Sequence, residues 1–189
     1  MPEDEVLTRK KPPEAGTFSG PLLIVGTARG VIQDVESYWG PNGWNNPRHD
    51  MMAVSQMGCF LPKMRHWYSA HHERMAVWQA VRTQGPMFAK MDGVMIHATA
   101  QYPGAVRWGV SGHHAPVSGM IATVIGLELG YAPVILAGIP QDGSGHFYPC
   151  EDFAMGAGMY WDTWKRLRKY CNGRVRSLSG YTREVFGAP

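Results

Sequence analysis

Between Pro140 and His146 the sequence reads PQDGSGH, an acid, a hydroxyl and an imidazole separated by glycines. Such a set suits group transfer to a hydroxyl. A histidine is the side chain most easily poised near neutral pH, so His146 could take a proton as a general base. Asp142 could orient a sugar hydroxyl, hold a cation or act as a base itself. Gly143 and Gly145 let the backbone approach a ligand, with Ser144 between them. DGSG is equally the composition of an ordinary turn, and both readings stand at this level.

Two further stretches could receive an anion. In IVGTARGV (24–31), Gly26 and Gly30 bracket Thr27 and leave backbone N–H groups available to a phosphate or carboxylate. The spacing is GxxxG, neither the dinucleotide GxGxxG nor a Walker loop, so a tight strand-to-helix turn explains it equally well. In HHAPVSGM (113–120), Pro116 can start a helix, which puts Ser118 and Gly119 in its positive first turn. The alternative there is a plain helix start with glycine for close packing. His113, at the head of this stretch, is a candidate substrate contact with Gly143 and Ser144.

The pairs His71-His72 and His113-His114 cannot chelate as pairs on a strand, because adjacent side chains point to opposite faces. A metal set drawn from His71, His113, Asp142 and His146 would have to be assembled from strand ends. No ligand spacing marks such a site, and no bound metal is expected. Trp39 and Trp44, in YWGPNGWNNP, could stack on a base or sugar; core packing is the alternative.

These residues need elements to hold them. PLLIVG (21–26), MMAVS (51–55), HWYSA (66–70), GVMIHA (93–98) and APVILAG (132–138) are short apolar runs of the kind buried on both faces. RVRSLS (174–179) alternates as an edge strand does. Helical periodicity covers 73–83, with Met75, Val77, Trp78 and Val81 read as one stripe. It recurs at 118–130, apolar nearly all round and stopped by Gly130, and at 154–173, where Tyr160, Trp164, Leu167 and Cys171 align before Asn172-Gly173. Alternation of strands and helices predicts a single α/β Rossmann-like domain over 21–189, with a mainly parallel sheet of about six strands and helices on both faces. Residues 1–20 read as a flexible lead-in. In such sheets ligands bind beyond the carboxyl ends of the strands, which is where the PQDGSGH loop falls.

The totals agree. The chain has 189 residues, 44% of them hydrophobic and 17% charged, enough for one domain with a proper core. Its net charge of +3 does not demand nucleic acid, although cations gather at 8–11 and again from Lys165 to Arg183. Three widely spaced cysteines argue against a disulfide framework and against structural zinc. The first twenty residues lack the apolar core of a signal peptide, and no run approaches the ~20 apolar residues of a membrane span. A cytoplasmic protein that makes no membrane contact is expected, with homo-oligomerisation left open.

The run VSGMIATVIGLELGYAPVILAGIPQDGSGHFY resembles a block found in bacterial sialyltransferases of the Campylobacter type. The block reads (T/S)SG, a long apolar helix, LGY, a strand, then GID. It recurs in the related 6-hydroxymethylpterin diphosphokinase-like proteins and their phage-borne relatives. IVGTARGVIQDV is similar to the family's opening glycine loop, AVSQMG to its second-strand motif, and GRVRSLSG to its last strand. The resemblance implies nucleotide binding at the strand ends, with Gly26, Thr27, Gly30, Ser118 and Gly119 along the phosphates and Ser55 and Gln56 as the second-strand polar pair. The chain departs from the pattern at Thr27 and Ser55, where the family favours asparagine, and at Pro140, where its aspartate stands. The sialyltransferase base is a histidine well downstream of the block, and here none follows His146. Either His146 takes that role, the base comes from elsewhere, or this chain does not carry out that reaction. Nor is there room for the sialyltransferases' separate lid domain.

Three functions follow from the residues and the resemblance together. The first is a nucleotide-dependent transferase, foremost a glycosyltransferase moving a sugar from a nucleotide-sugar donor to a hydroxyl acceptor, with a hydroxylated nucleic-acid base among the acceptors. His146 and Asp142 would be its catalytic residues, and it needs no tightly bound cofactor. The second is ATP-dependent diphosphate transfer to a small hydroxymethyl compound. That reaction would need Mg²⁺ and has few acids near strand ends to hold it (Asp142, Asp92, Glu151). The third is a protein that binds and sequesters a nucleotide without catalysis.

Overall fold

The computed structural model describes residues 14–84, 90–109, 117–148 and 160–189. Seven strands form one sheet: β1 (Leu22–Val25), β2 (Asp50–Val54), β3 (His66–Tyr68), β4 (Met95–Ala98), β5 (Val106–Arg107), β6 (Val134–Ala137) and β7 (Val175–Ser177). Their order is β5-β4-β3-β2-β1-β6-β7, and every pairing is parallel. The sequence pattern anticipates six of these strands. Two-residue β5 is too short to leave a periodic trace.

From β1 the chain steps outward through β2, β3, β4 and β5, then returns to the other side of β1 for β6 and β7. Right-handed crossovers place helices of the two directions on opposite faces. The cores obey this rule. Helices α1 (Val31–Trp39) and α2 (Met75–Gln84) bury Val31, Val35, Trp39, Met75 and Trp78 against Leu23, Val25, Met51 and Ile135. Helices α3 (Ser118–Leu129), α4 (Trp161–Cys171) and α5 (Gly180–Phe186) close the other face on Leu22, Ile24, Val134 and Leu136. The four residues of β1 and of β6 are all buried, as strands covered on both faces must be.

Ten of the twelve residues of α3 are buried, so it has no solvent face to mark its period. It ends on Gly130 at φ +107°, a left-handed cap, and α4 ends the same way on Asn172. The α2 stripe differs from the one expected. Val77 and Val81 are exposed, and Arg82 turns inward with Met75 and Trp78. Its guanidinium donates to the carbonyl oxygens of Gly58 (2.8 Å) and Leu61 (2.5 Å), which gives a buried cation the acceptors it needs. Ahead of β1, the Gly16 and Phe18 N–H groups donate to the carbonyls of Glu128 and Leu129 at the end of α3.

Candidate functional site at the switch between β1 and β6

In open α/β sheets the ligand crevice lies at the carboxyl ends of the strands where the order reverses, which here is between β1 and β6. Two glycines let those ends approach. A Cβ at Gly26 would lie 2.4 Å from the Gly138 carbonyl oxygen and 2.5 Å from Ile139 Cγ1. Gly138 has φ +62°, and a Cβ there would strike Val31. Its N–H donates to Asp34 Oδ2 (2.7 Å), which also accepts the Ser179 hydroxyl (2.6 Å). One buried carboxylate on α1 thereby ties down the ends of both β6 and β7.

Past Gly138 the PQDGSGH loop turns back along the first glycine loop. Ala28 and His146 form an antiparallel bridge, Arg29 N–H donates to Gly145 O (3.0 Å), and Phe147 N–H donates to Thr27 O (2.9 Å). This pairing sets the Thr27 hydroxyl 2.6 Å from His146 Nδ1. The imidazole stacks on Tyr148, with centroids 5.0 Å apart and planes 5° from parallel, while Phe147 meets Phe60 edge-on. Burial holds the His146 pKa below its ordinary value, and its hydrogen bonding to Thr27 pulls the other way without prevailing. The ring is therefore neutral at pH 7, the form a base requires.

The other residues singled out in the sequence fall around this crevice. The first loop is not a vacant cradle: the N–H groups of Gly26, Ala28, Arg29 and Val31 are bonded to Ala137, Gly138, Gly145 and Ala28 carbonyls. An anion there would meet the first turn of α1, whose N-cap Gly30 supplies no side-chain cap and has open space where a Cβ would stand. Gly119, in the first turn of α3 behind half-buried Ser118, packs on Ile139, which its Cβ would approach to 3.0 Å. Ile139 thus sits between Gly26 and Gly119 and joins the α3 start to the crevice. Ser55, at the end of β2 beside half-buried Gln56, is held at φ +51° with its hydroxyl 3.4 Å from that of Ser69. Asp142, Gly143 and Ser144 form the exposed loop tip, where Asp142 Oδ1 accepts the Ser144 N–H (2.9 Å). That aspartate lines a separate cavity with Trp161, Tyr181 and Arg183. His113, His114 and Glu151 lie outside the described residues.

No family model and no curated protein sequence matches the chain. Among solved structures, the sialyltransferase CstII from Campylobacter jejuni, in complex with the substrate analogue cytidine-5'-monophosphate, aligns over 89% of this chain and 84% of its own. The TM-score is 0.57 and the identity 13%. What the two share is the fold. A sialyltransferase-like sheet thus positions the Thr27–His146 pair.

Among the described residues no three His, Cys, Asp or Glu side chains gather as a metal site, and no helix is long and apolar enough to cross a membrane. The sheet does carry a polar chain that the sequence reading missed. Trp108 Nε1–H donates to His97 Nδ1 (2.9 Å), so the His97 proton sits on Nε2. That nitrogen is 2.9 Å from His66 Nδ1, which puts the His66 proton on its Nε2, 2.8 Å from the Tyr131 hydroxyl. Tyr131 in turn donates to Asp50 Oδ2 (2.6 Å). Burial pushes His66 down to about 4, against an opposing pull from Asp50, and His97 to about 3. Both rings are neutral and fully committed, which removes them from the candidate catalysts. A histidine inside each of two apolar strands was the available signal, since a buried polar group must find partners.

Proposed function

We propose that the protein is a nucleotide-dependent, glycosyltransferase-like enzyme that moves a sugar from a nucleotide-sugar donor to a hydroxyl acceptor. The observation that carries this reading is the Thr27–His146 pair in the crevice of a sialyltransferase-like sheet. With its proton on Nδ1 and directed at Thr27, His146 takes the acceptor proton on Nε2. The freed acceptor oxygen forms a bond to the anomeric carbon as the bond from that carbon to the donor phosphate breaks, and the electron pair leaves on the phosphate oxygen. The first turns of α1 and α3, with Gly30, Ser118 and Gly119, oppose the growing phosphate charge with their N–H groups. Ser55 and Gln56 flank the nucleoside, and Gly143 and Ser144 stand on the acceptor side.

A second reading, nucleotide sequestration without catalysis, draws on Asp142 being turned into its own loop rather than toward His146. A thermal-shift screen over nucleotides and sugar nucleotides tests both. Ligand at about 100 Kd raises stability by about 2.7 kcal/mol, and the hit identifies the base. Turnover of the labelled hit in the presence of hydroxyl acceptors supports transfer; tight binding with no turnover favours sequestration. No stabilisation by any nucleotide would end both.

A further inference from the structure

A cluster of positive charge lies beside β7, at one edge of the sheet. Lys165, Arg168 and Lys169 of α4, with Arg176 of β7, line a groove of about 1030 Å³ that also holds Tyr181 and one carboxylate, Glu184. Four cations against one anion give this groove +3, equal to the formal net charge of the whole chain. The other charged residues of the chain sum to zero. Cations in the last turn of a helix also oppose its dipole, which accounts for Arg168 and Lys169. It does not account for Lys165 a turn earlier, nor for Arg176 on a strand. Lys165 does reach Asp162 at 3.8 Å, but both side chains are exposed and such pairs hold weakly.

An independent feature adjoins it. Tyr181 and Glu184 also line a second cavity of about 690 Å³, so the two adjoin at these residues. There Trp161 stacks on Tyr181, with centroids 4.6 Å apart and planes 21° from parallel, yet remains 40% exposed. Its Nε1–H donates to the Gln141 carbonyl, which fixes the ring beside the loop that bears Asp142 and His146. Arg183 adds a further cation to this cavity and Asp142 a second carboxylate, so the two cavities together hold five cations against two anions.

We infer that the joined groove binds a single-stranded nucleic acid, with phosphates along Lys165, Arg168 and Arg176 and a base on the Trp161–Tyr181 platform. A positive groove that tracks a backbone, combined with an aromatic face, is how single strands are held without sequence preference. The eleven residues of α4 span about 16 Å, room for about four to five stacked nucleotides at ~3.4 Å each. A duplex keeps its base faces stacked away from Trp161, and a membrane is too flat to enter the groove. If the strand carries the acceptor hydroxyl, a role that rests on the transferase reading above, it enters the crevice past Asp142.

The test is anisotropy of a fluorescein-labelled, mixed-sequence ten-nucleotide DNA titrated with the protein between 50 and 200 mM salt. With three to four phosphates neutralised, affinity should fall roughly 20- to 50-fold over that range. K165Q/R168Q should flatten the logarithmic salt slope by about 1.4. W161A should weaken binding roughly 5- to 150-fold with the slope unchanged, whereas W161F, which keeps a stacking face, should bind nearly as wild type. Circular dichroism of each variant confirms its fold, and cytidine-5'-monophosphate binding followed in parallel reports the donor crevice separately. Absence of oligonucleotide binding at 50 mM salt would overturn the inference. So would indifference to W161A, or binding to phosphatidylglycerol vesicles or polyglutamate as strong as to the oligonucleotide.

Discussion

The Thr27 hydroxyl and His146 Nδ1, 119 positions apart in the chain, lie 2.6 Å from one another. Short backbone pairing between the loops after β1 and β6 creates this contact, so the ring is aimed by two strand ends at once. Removing the hydroxyl with T27V should lower turnover about tenfold, because Nδ1 loses a side-chain partner that aims the ring. T27S should restore most of the rate. A T27V enzyme with unchanged turnover would show that the contact only holds the loops together.

Gly26 and Gly30 have similar sequence surroundings and opposite surroundings in space. G26A drives a methyl group into the Gly138 backbone and should cost roughly 2–3 kcal/mol or more in chemical denaturation. G30A meets nothing within 4 Å and should stay within about 0.5 kcal/mol of wild type. Any loss of nucleotide affinity in G30A would then reflect crowding at the α1 start rather than unfolding. Equal destabilisation by both substitutions would contradict this division of roles.

The buried histidine chain makes stability depend on pH. His66 and His97 titrate near 6.5 when unfolded and at about 4 and about 3 when folded, so the unfolded chain binds more protons between those limits. Stability is therefore fully present above pH 6.5 and is lost as pH falls toward 4 and then 3. Each histidine removes up to about 1.4 kcal/mol per pH unit, so unfolding at pH 5 should be up to about 4 kcal/mol easier than at pH 7. H97Q should reduce that slope by about half. A flat profile from pH 7 to 5 would mean that the rings find compensating partners when charged.

Much of the crevice is legible in the sequence, because its parts are local. An apolar strand running into PQDGSGH, and a second strand ending in a glycine loop, both follow from short patterns in an α/β chain. What joins them is not local. Neither the Thr27–His146 contact nor the bridging of Gly138 and Ser179 by Asp34 leaves any spacing in the sequence, since each depends on strand order. Val77 and Val81 were misplaced for a related reason. Helical period groups apolar residues, but a buried Arg82 collecting carbonyls, rather than Val77 and Val81, joins Met75 and Trp78 on the inward side of α2. Gly26 and Gly119 read as anion contacts or as turn and packing glycines, and both pack closely around Ile139, a shared partner that no local pattern names.

The most direct measurement is sugar transfer by H146A beside the wild type, with nucleotide affinity determined on the same samples. A general base contributes about 10²–10⁴ in rate, so turnover should fall by that factor while affinity for the nucleotide changes little. An H146A protein that transfers sugar at the wild-type rate would contradict the assignment of His146 as the base.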